Sequence, residues 1–392
     1  MAAEPKDVLL IGLGAVGTIY AFVLQKSGLA RVTVVARSNY EAVNVDGMHI
    51  KSLKYGEHKE WRPYRIFGSV QEAADRAYSH VVLVTKIIPE LKTNPQLLEP
   101  LLSPAYTERF PQPVYVLMQN GMNIEVDLWN AIKALGQGSP KIIGTAVYIG
   151  SKQLVKNVVE HSDFDRVSMG IHREQPNVLT NSPEEEVILS EFGKLLETGG
   201  TEVTIVPDIH RVKYFKNAFN CLYGPVCALS RYSMQAIFRK PLDHWQGTAP
   251  EVNTLSEPGE RTAAQQAVAN VPASFPMVAE YTMPLMYEVL DEVKQLGNAL
   301  FPDASEFDSD FAITVLTRTA VLVVRPESPE VPSMQVDVQL GRPMEIDVVV
   351  GSLVRAAKKV GVAMPRLETL YALLVIIQQH VLYEYRKKTS AA

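Results

Sequence analysis

Two lysine–asparagine pairs at helical spacing are the first residues of this sequence that could do chemistry. In the stretch YFKNAFNCLYGPVCAL, residues 214–229, Lys216 precedes Asn220 by four residues, and Lys213 precedes Asn217 by the same step. Residues four apart share one face of a helix, so each pair could point into one pocket. An ammonium group there can stabilise the charge that builds on a carbonyl oxygen during reduction and can give that oxygen a proton. The residues alone leave open which lysine acts.

A glycine-rich stretch near the N-terminus predicts a dinucleotide site. It follows the apolar run DVLLI and precedes the helical pattern TIYAFVLQKSG. Glycines between a strand and a helix let backbone amides approach a pyrophosphate at the N-terminus of the helix. A plain tight turn is the alternative interpretation. The residues concerned are Gly12, Leu13, Gly14, Ala15, Val16 and Gly17.

The second apolar run, RVTVVAR, ends in Arg37 rather than in an acid. An acidic residue at this point would bind the ribose 2′-hydroxyl of NAD, whereas an arginine accommodates the 2′-phosphate of NADP. A solvated surface arginine is the structural alternative. Arg37 therefore favours NADPH as the cofactor.

Five apolar runs rich in β-branched residues must position these groups: DVLLIG, RVTVVAR, HVVLVTK, PVYVLMQNG and KIIGTAVYIG. Fully apolar strands separated by helical segments predict a parallel sheet that is covered on both faces. Ligands of such folds bind beyond the carboxyl ends of the strands. Lys86 ends the third run, and the fourth ends with Gln119, Asn120 and Gly121. We expect these residues to line one crevice with the glycine-rich stretch and Arg37.

From about residue 207 the pattern changes to long helical segments, one of them predicted over HRVKYFKNAFNCLYGPVCALSRYSMQAIF. Apolar residues recur there at three- and four-residue steps, with no further strand alternation. The predicted domains are therefore 1–206, an NADP-binding domain, and 207–392, a helical domain. Residues 240–276, rich in Pro, Gly, Ser and Glu, are interpreted as a loop-like insertion.

The stretch VPSMQVDVQLGRPMEID interrupts the helices near the C-terminus. Ser333 is predicted to cap a short helix that Gly341 closes. Glu345 is predicted to lie in the first turn of the next helix, where an acid favours the helix dipole. These structural roles account for both residues without any function.

Composition excludes several classes of protein. The 392 residues suit two domains, and 47% hydrophobic with 21% charged residues is typical of a soluble enzyme. The 38 basic and 43 acidic residues give a net charge of −5 without a basic block, which argues against nucleic acid or an anionic membrane as a partner. Only two cysteines occur, Cys221 and Cys227, so we expect buried thiols in a reducing compartment and no paired-cysteine metal site. No secretory signal is recognisable, which favours the cytoplasm, and a mitochondrial location is also compatible.

The sequence resembles the ketopantoate reductases (2-dehydropantoate 2-reductases) over most of its length outside residues 240–276. The matching stretches are GLGAVG, VLVTK, MQNGMNIE, the lysine–asparagine helix, and SMQVDVQLGRPMEID followed by Gly351. The last of these is the most specific. The resemblance implies an α/β fold, with an N-terminal Rossmann-type parallel sheet domain, an all-helical C-terminal domain and an active site in the cleft between them.

The resemblance also selects a lysine. The family pattern has a lysine, an asparagine four residues later, a polar residue after four more, and then Pro-x-x-Ala-Leu. Aligning Pro225 without a gap places the lysine at Lys216 and the first asparagine at Asn220. Lys213 is then expected to be a neighbouring charge on the same flank. Two positions depart from the pattern, since Gly224 and Met234 stand where family members carry asparagines that hold the hydroxyl end of the substrate.

The resemblance implies a role for each site residue. Lys216 polarises the ketone and protonates the product, and Glu345 orients Lys216 or the ribose of the cofactor. Lys86 positions the cofactor, which Asn120 also contacts. The substrate is held by Asn120, Asn220 and Ser333. The reaction needs no metal.

Three hypotheses about function follow. The first is NADPH-dependent reduction of 2-dehydropantoate to pantoate in pantothenate biosynthesis. The second is reduction of a different 2-oxo acid, ketone or imine, and the third is a non-catalytic NADP-binding regulator. The expected partner is a small-molecule 2-oxo acid, and a homodimer is among the assemblies that the sequence allows.

Overall fold

The computed structural model describes residues 4–174, 177–239, 258–323 and 331–390. The chain divides into two compact units, Met1–Lys213 and Tyr214–Ala392, and the division falls within one long helix. Within the described residues, no helix combines the length and the apolar character that crossing a bilayer would require.

The first unit contains a ten-stranded sheet among its described residues. The strands are β1 (Lys6–Ile11), β2 (Ala30–Val35), β3 (Met48–Ser52), β4 (Gly56–Trp61), β5 (Arg65–Phe67), β6 (His80–Leu83), β7 (Val114–Leu117), β8 (Ile142–Val155), β9 (Val158–Ile171) and β10 (Glu202–Ile205). The helices of this unit are α1 (Ala15–Lys26), α2 (Tyr40–Asp46), α3 (Val70–Ala73), α4 (Asn94–Leu97), α5 (Glu99–Leu102), α6 (Pro104–Thr107), α7 (Val126–Lys133) and α8 (Pro183–Gly199).

The predicted parallel sheet is confirmed for the five apolar runs. They form β2, β1, β6, β7 and β8, which are neighbours in that order and pair in parallel. With β5 beside β2, the order is that of a dinucleotide-binding sheet. The sheet as a whole is mixed, because β8 continues into a long antiparallel pair with β9 and β3 pairs antiparallel with β4. Sequence periodicity did not predict these extensions.

The core of the first unit explains why its central strands are apolar throughout. Successive residues of β1, such as Leu9 and Leu10, are fully buried, so both faces of the sheet are covered. Helix α1 is buried over eight consecutive residues and packs between the sheet and α8. Helix α8 begins with a capping box, in which the Ser182 hydroxyl accepts from the amide of Glu185 and the Glu185 side chain returns to the amide of Ser182.

Helices follow from α9 onwards, as predicted, and the described residues after 205 contain no strand. They are α9 (Ile209–Ser230), α10 (Gln235–Phe238), α11 (Ala263–Ala267), α12 (Met283–Leu300), α13 (Phe311–Val323), α14 (Ser333–Gln339), α15 (Ser352–Val360) and α16 (Pro365–Ser390), with π-helical turns at Val278–Thr282 and Asp347–Gly351 and a 3₁₀ turn at Pro258–Glu260. Helix α12 is central, packing against α13, α15 and α16.

Three local predictions about the second unit are corrected. The helix predicted over residues 210–238 ends at Ser230, where Arg231 adopts a left-handed conformation, and a separate short helix follows. Ser333 is the first residue of α14 rather than its cap, because the cap position is taken by Pro332. Glu345 lies just before the next helix rather than in its first turn, and its carbonyl accepts from the amide of Val349.

The structure also bears on the expectations for Gly341, for residues 240–276 and for the two cysteines. Gly341 ends the segment after α14 with a positive φ of 61°, as predicted. Of the proposed insertion at 240–276, residues 240–257 lie outside the described residues, and the remainder contains the 3₁₀ turn and α11. Cys221 and Cys227 are both buried free thiols, as expected, and burial raises the pKa of each to about 12.

Candidate active site

The glycine-rich loop between β1 and α1 forms a cradle that side chains would fill. Gly12 has a φ of 107°, and a Cβ on Gly17 would lie 1.8 Å from the Gly12 carbonyl oxygen, so both positions require glycine. Gly14 precedes α1, and no side chain caps the helix there. The amides of the first helical turn are therefore left for an anionic ligand, and the space beside Gly14 is open. The loop fits the diphosphate of a dinucleotide.

The other predicted residues of the first unit lie at the same edge of the sheet. Arg37 follows β2 and Lys86 follows β6, the two strands that flank β1, and Asn120 follows β7, which lies beside β6. Arg37 and Lys86 are exposed, and Asn120 is half-buried. The glycine-rich loop and these three residues therefore lie along one edge of the sheet, as the strand pattern predicted.

Buried amides that sequence reasoning missed hold the loops after β6 and β7 together. The amide of Gln119 donates to the Thr85 carbonyl at 3.0 Å, and Gln119 also exchanges hydrogen bonds with the buried Asn94. Asn94 in turn donates to the carbonyl of Ile124 at 3.3 Å. Lys86 and Asn120 each adjoin a residue of this network, so the network defines the backbone from which they project. In the sequence, the only indication of this network was the position of Gln119 at the end of a strand.

The two lysine–asparagine pairs of α9 lie in different environments. Asn217 is buried and donates to the carbonyl of Val349 at 2.8 Å. Lys213, at the boundary between the units, is 4% exposed and forms an ion pair with Glu125 of the first unit. Lys213 is therefore a charge close to Lys216 on the same helix, as expected, and it is also buried and paired with a carboxylate, which the sequence did not predict. Lys216 and Asn220 are half-buried.

Helix α9 lies against both segments that carry the remaining predicted residues. A Cβ at Gly224 of α9 would lie 3.3 Å from Cε of Met334, which follows Ser333 in α14. The Asn217 bond reaches the π-helical turn that follows Glu345. Ser333 is exposed, whereas Glu345 is 7% exposed.

A buried amide fixes the backbone next to Glu345. Gln378 of α16 is fully buried and clamps Met344, accepting from its amide at 2.9 Å and donating to its carbonyl at 3.0 Å. The π-helical turn that follows is a feature common at functional sites. Nothing in the sequence relates Gln378 to Met344, which lies 34 residues away.

A second cluster missed by sequence reasoning surrounds the Lys213 ion pair. Nδ1 of His172 lies 2.9 Å from Nε2 of His210, next to the Glu125 carboxylate. Burial lowers the pKa of His172 to about 4 and also lowers that of His210, so both imidazoles are neutral at pH 7. Burial would raise the pKa of Glu125, but the charge of Lys213 and its hydrogen bond, together with His210 and His172, lower the pKa and keep the carboxyl ionised. The cluster is thus an ion pair flanked by neutral imidazoles.

Among the described residues, Glu125, His172 and His210 are also the group whose ligand atoms come close enough to consider a metal, all within 4.8 Å of one another. The Lys213 ammonium already occupies one oxygen of the carboxylate. A divalent cation beside a buried ammonium would meet strong repulsion in a medium of low dielectric constant. We therefore assign Lys213 as the cation of this cluster.

Comparison with known proteins identifies the family of the chain. Residues 8–174 match the family model "Ketopantoate reductase PanE/ApbA", and residues 262–378 match "Ketopantoate reductase PanE/ApbA C terminal", which together span well over half of the chain. The chain is 27% identical over 381 residues to YDL144C of Saccharomyces cerevisiae, an uncharacterised protein, covering 95% of this chain and 93% of that one.

Solved structures show the same fold. The 2-dehydropantoate 2-reductase of Methylococcus capsulatus superposes with a TM-score of 0.66 at 21% identity, covering 96% of this chain and 97% of that one. A D-mandelate dehydrogenase solved with NADH and anilino(oxo)acetate superposes with a TM-score of 0.65 at 16% identity, covering 96% and 99%. Both of these proteins are oxidoreductases. Through both of its domain matches, the chain belongs to the ketopantoate reductase family.

Proposed function

We propose that this protein reduces a 2-oxo acid to a 2-hydroxy acid with NADPH, and that 2-dehydropantoate, the precursor of pantoate in pantothenate biosynthesis, is the first substrate to test. One observation carries the proposal. Helix α9 presents Lys216 and Asn220 while it packs against the segments that bear Ser333 and Glu345. Lys213, the other lysine that could act, is buried in an ion pair with Glu125.

NADPH would be held at the sheet edge of the first unit. The amides of the loop from Gly12 to Gly17 would bind its diphosphate, and Arg37 would pair with the 2′-phosphate. Lys86 and Asn120, on loops that the buried amides join, would position the rest of the cofactor. When bound, NADPH supplies the hydride for the reduction.

Lys216 carries the acid–base part of the mechanism. As the carbonyl carbon gains the hydride, negative charge builds on the oxygen, and the Lys216 ammonium stabilises this charge and then donates a proton to the alkoxide. The loss of that proton leaves a neutral amine, which solvent reprotonates before the next turnover. Glu345 orients Lys216 or the nicotinamide ribose.

The remaining polar residues hold the substrate. Asn120 and Asn220 donate hydrogen bonds to its oxygens, and Ser333, in the first turn of α14, binds the carboxylate with neighbouring amides. Correct placement of the carbonyl matters because small displacements of reacting groups cost large factors in rate.

A second candidate is the reduction of a different 2-oxo acid, ketone or imine. The two positions at which the family carries asparagines for the substrate hydroxyl are Gly224 and Met234, and Met234 is a buried apolar side chain, 1% exposed. A pocket without those amides favours a substrate that has an apolar group in place of the hydroxyl.

The deciding experiment is steady-state oxidation of NADPH with a panel of 2-oxo acids that includes 2-dehydropantoate, 2-oxoisovalerate and aromatic 2-oxo acids. Turnover of 2-dehydropantoate above all others supports the first candidate, and preference for another member supports the second. Binding of NADPH without turnover of any member would refute the reduction of these 2-oxo acids and favour a cofactor-binding regulator or the reduction of a ketone or imine. A cytoplasmic location and a homodimer stay predictions from the sequence.

A further inference from the structure

The ion pair between Glu125 and Lys213 is almost completely enclosed. The side chains of the two residues are 0% and 3% exposed, and Oε2 of Glu125 has no hydrogen-bond partner within the described part of the chain. A buried ion pair adds little stability relative to apolar side chains of similar size, and an unsatisfied oxygen lowers it further. A gain in stability therefore does not explain why the ion pair is present. Its fixed geometry, which can hold two segments in place, does explain it.

The sheet is recessed to admit this pair and the start of α9. Gly144 of β8 and Gly170 of β9 are directly paired across the strands. A Cβ at Gly144 would lie 3.0 Å from Oε1 of Glu125 and 3.2 Å from Cγ2 of Ile209, and one at Gly170 would lie 3.1 Å from Cβ of Ile209. Two opposed glycines thus let the first turn of α9 and the carboxylate lie directly on the sheet.

Two side-chain contacts join the start of α9 to the sheet and its loops. Lys213 binds Glu125, which ends the loop after β7, and His210 binds His172, which follows β9. The start of the turn is held by Asp208, whose carboxylate accepts from the amides of His210 and Arg211 at 3.0 and 3.2 Å. The turn is therefore restrained in both position and rotation.

We infer that Glu125 and Lys213 are positioning residues for the reduction, an inference that rests on the proposed function. Asn120 lies five residues before Glu125 in a loop whose other end is anchored through Gln119. Lys216 lies three residues after Lys213 on the same helix. One ion pair thus sets the conformation of the Asn120 loop and the rotation of α9, on which the direction of Lys216 depends.

The test uses a variant that removes both charges. Either single substitution leaves a lone buried charge and destabilises the protein, so the informative variant is the double one, Glu125→Gln with Lys213→Met. The matched control, Lys133→Met with Glu174→Gln, removes an exposed ion pair of the same unit. All are assayed well below their melting temperatures, with the best 2-oxo acid of the panel.

We expect the double variant to lose kcat by about tenfold or more, because the reacting groups are displaced. Its KM for NADPH should change by a smaller factor than kcat, because the glycine-rich loop that would bind the diphosphate is unchanged and only the Asn120 loop is loosened. Amide hydrogen exchange should accelerate over residues 119–125 and 209–216, and the control should match wild type in every measurement.

A double variant with wild-type kcat and wild-type exchange would overturn the inference. So would Zn²⁺ that raises the melting temperature of wild type but not of His172→Ala, since the carboxylate would then belong to a metal site. If wild type reduces no 2-oxo acid, the proposed function fails separately, and the exchange measurement still decides whether the pair restrains the loop and helix.

Discussion

Replacing Gly224 with asparagine tests the substrate pocket most directly. Gly224 is buried in the interior of α9, next to Met334 of α14. A Cβ there would lie 3.3 Å from Cε and 3.4 Å from Sδ of Met334, which is slightly closer than ordinary contact. Because both atoms end a flexible side chain, a shift of a few tenths of an ångström accommodates the substitution. The fold therefore admits a side chain at this position.

The stability of the variant follows from three effects. Replacing glycine inside a helix gains about 0.5–1 kcal/mol, and the clash of a new Cβ with Pro225 opposes this gain. A buried amide without a partner costs about 1–3 kcal/mol. Gly224→Ala shares the first two effects and lacks the third, so it is the matched control. We expect Gly224→Asn to melt below Gly224→Ala by about 2–4 °C for each kcal/mol of that cost.

Although Gly224→Asn should lower stability, it should raise the preference for 2-dehydropantoate. An amide that binds the terminal hydroxyl of 2-dehydropantoate gains a net hydrogen bond of about 0.5–1.5 kcal/mol, which is about two- to tenfold in kcat/KM. The assay is the ratio of kcat/KM for 2-dehydropantoate to that for 2-oxoisovalerate, which lacks the hydroxyl. Wild type should accept 2-oxoisovalerate comparatively well, and Gly224→Asn should raise the ratio while Gly224→Ala should not.

Two results would refute this reasoning. A high ratio in wild type that Gly224→Asn leaves unchanged would mean that another residue already binds the hydroxyl. An equal shift in Gly224→Ala would mean that the new side chain acts through its volume rather than through its amide.

Three further predictions concern catalysis, the cofactor and pH. Lys216→Ala should lower kcat by about a hundredfold or more while NADPH still binds, and full activity in that variant would exclude Lys216 as the acid. Wild type should prefer NADPH to NADH, and Arg37→Ala should remove about one to two decades of that preference; equal use of both cofactors by wild type would contradict the assignment. His80 is 1% exposed, and burial, followed by the charge of Lys6, lowers its pKa to about 4, with Glu191 acting weakly in the opposite sense. As the pH falls, the His80 imidazole is therefore protonated in the unfolded chain before it is protonated in the folded one, which favours unfolding. Between pH 7 and pH 5 the free energy of unfolding, measured in urea, should drop by about 2 kcal/mol more in wild type than in His80→Gln. Equal drops would show that His80 already binds its proton in the folded state.

The amino-acid sequence alone was enough to predict five parallel strands, the helical second half of the chain and the edge of the sheet where the expected cofactor residues lie. Apolar runs such as that of β1 mark strands buried on both faces, and the glycines from Gly12 to Gly17 are required by the turn that follows. Since parallel strands end at one edge, Arg37 and Asn120 could be placed there from strand order alone. All of these signals are local in sequence, and therefore readable without a structure.

Helix ends were less accurate, because capping depends on the conformation of individual residues. Pro332 and Ser333 are both acceptable at the start of α14, and only the backbone shows that Pro332 holds the cap position. The end of α9 at Ser230 follows from the left-handed conformation of Arg231, which arginine rarely adopts and its residue type does not predict.

The different surroundings of the two lysines, and the contacts that fix them, follow from tertiary packing. Lys213 and Lys216 share one helix and the same spacing to an asparagine, yet Lys213 meets Glu125, 88 residues earlier in the chain, and is buried with it. Asn94 with Gln119 and Gln378 with Met344 are likewise joined across 25 and 34 residues. The burial of a polar side chain requires a partner, but residue types do not specify which distant segment supplies it. That choice is made when the sheet and helices pack.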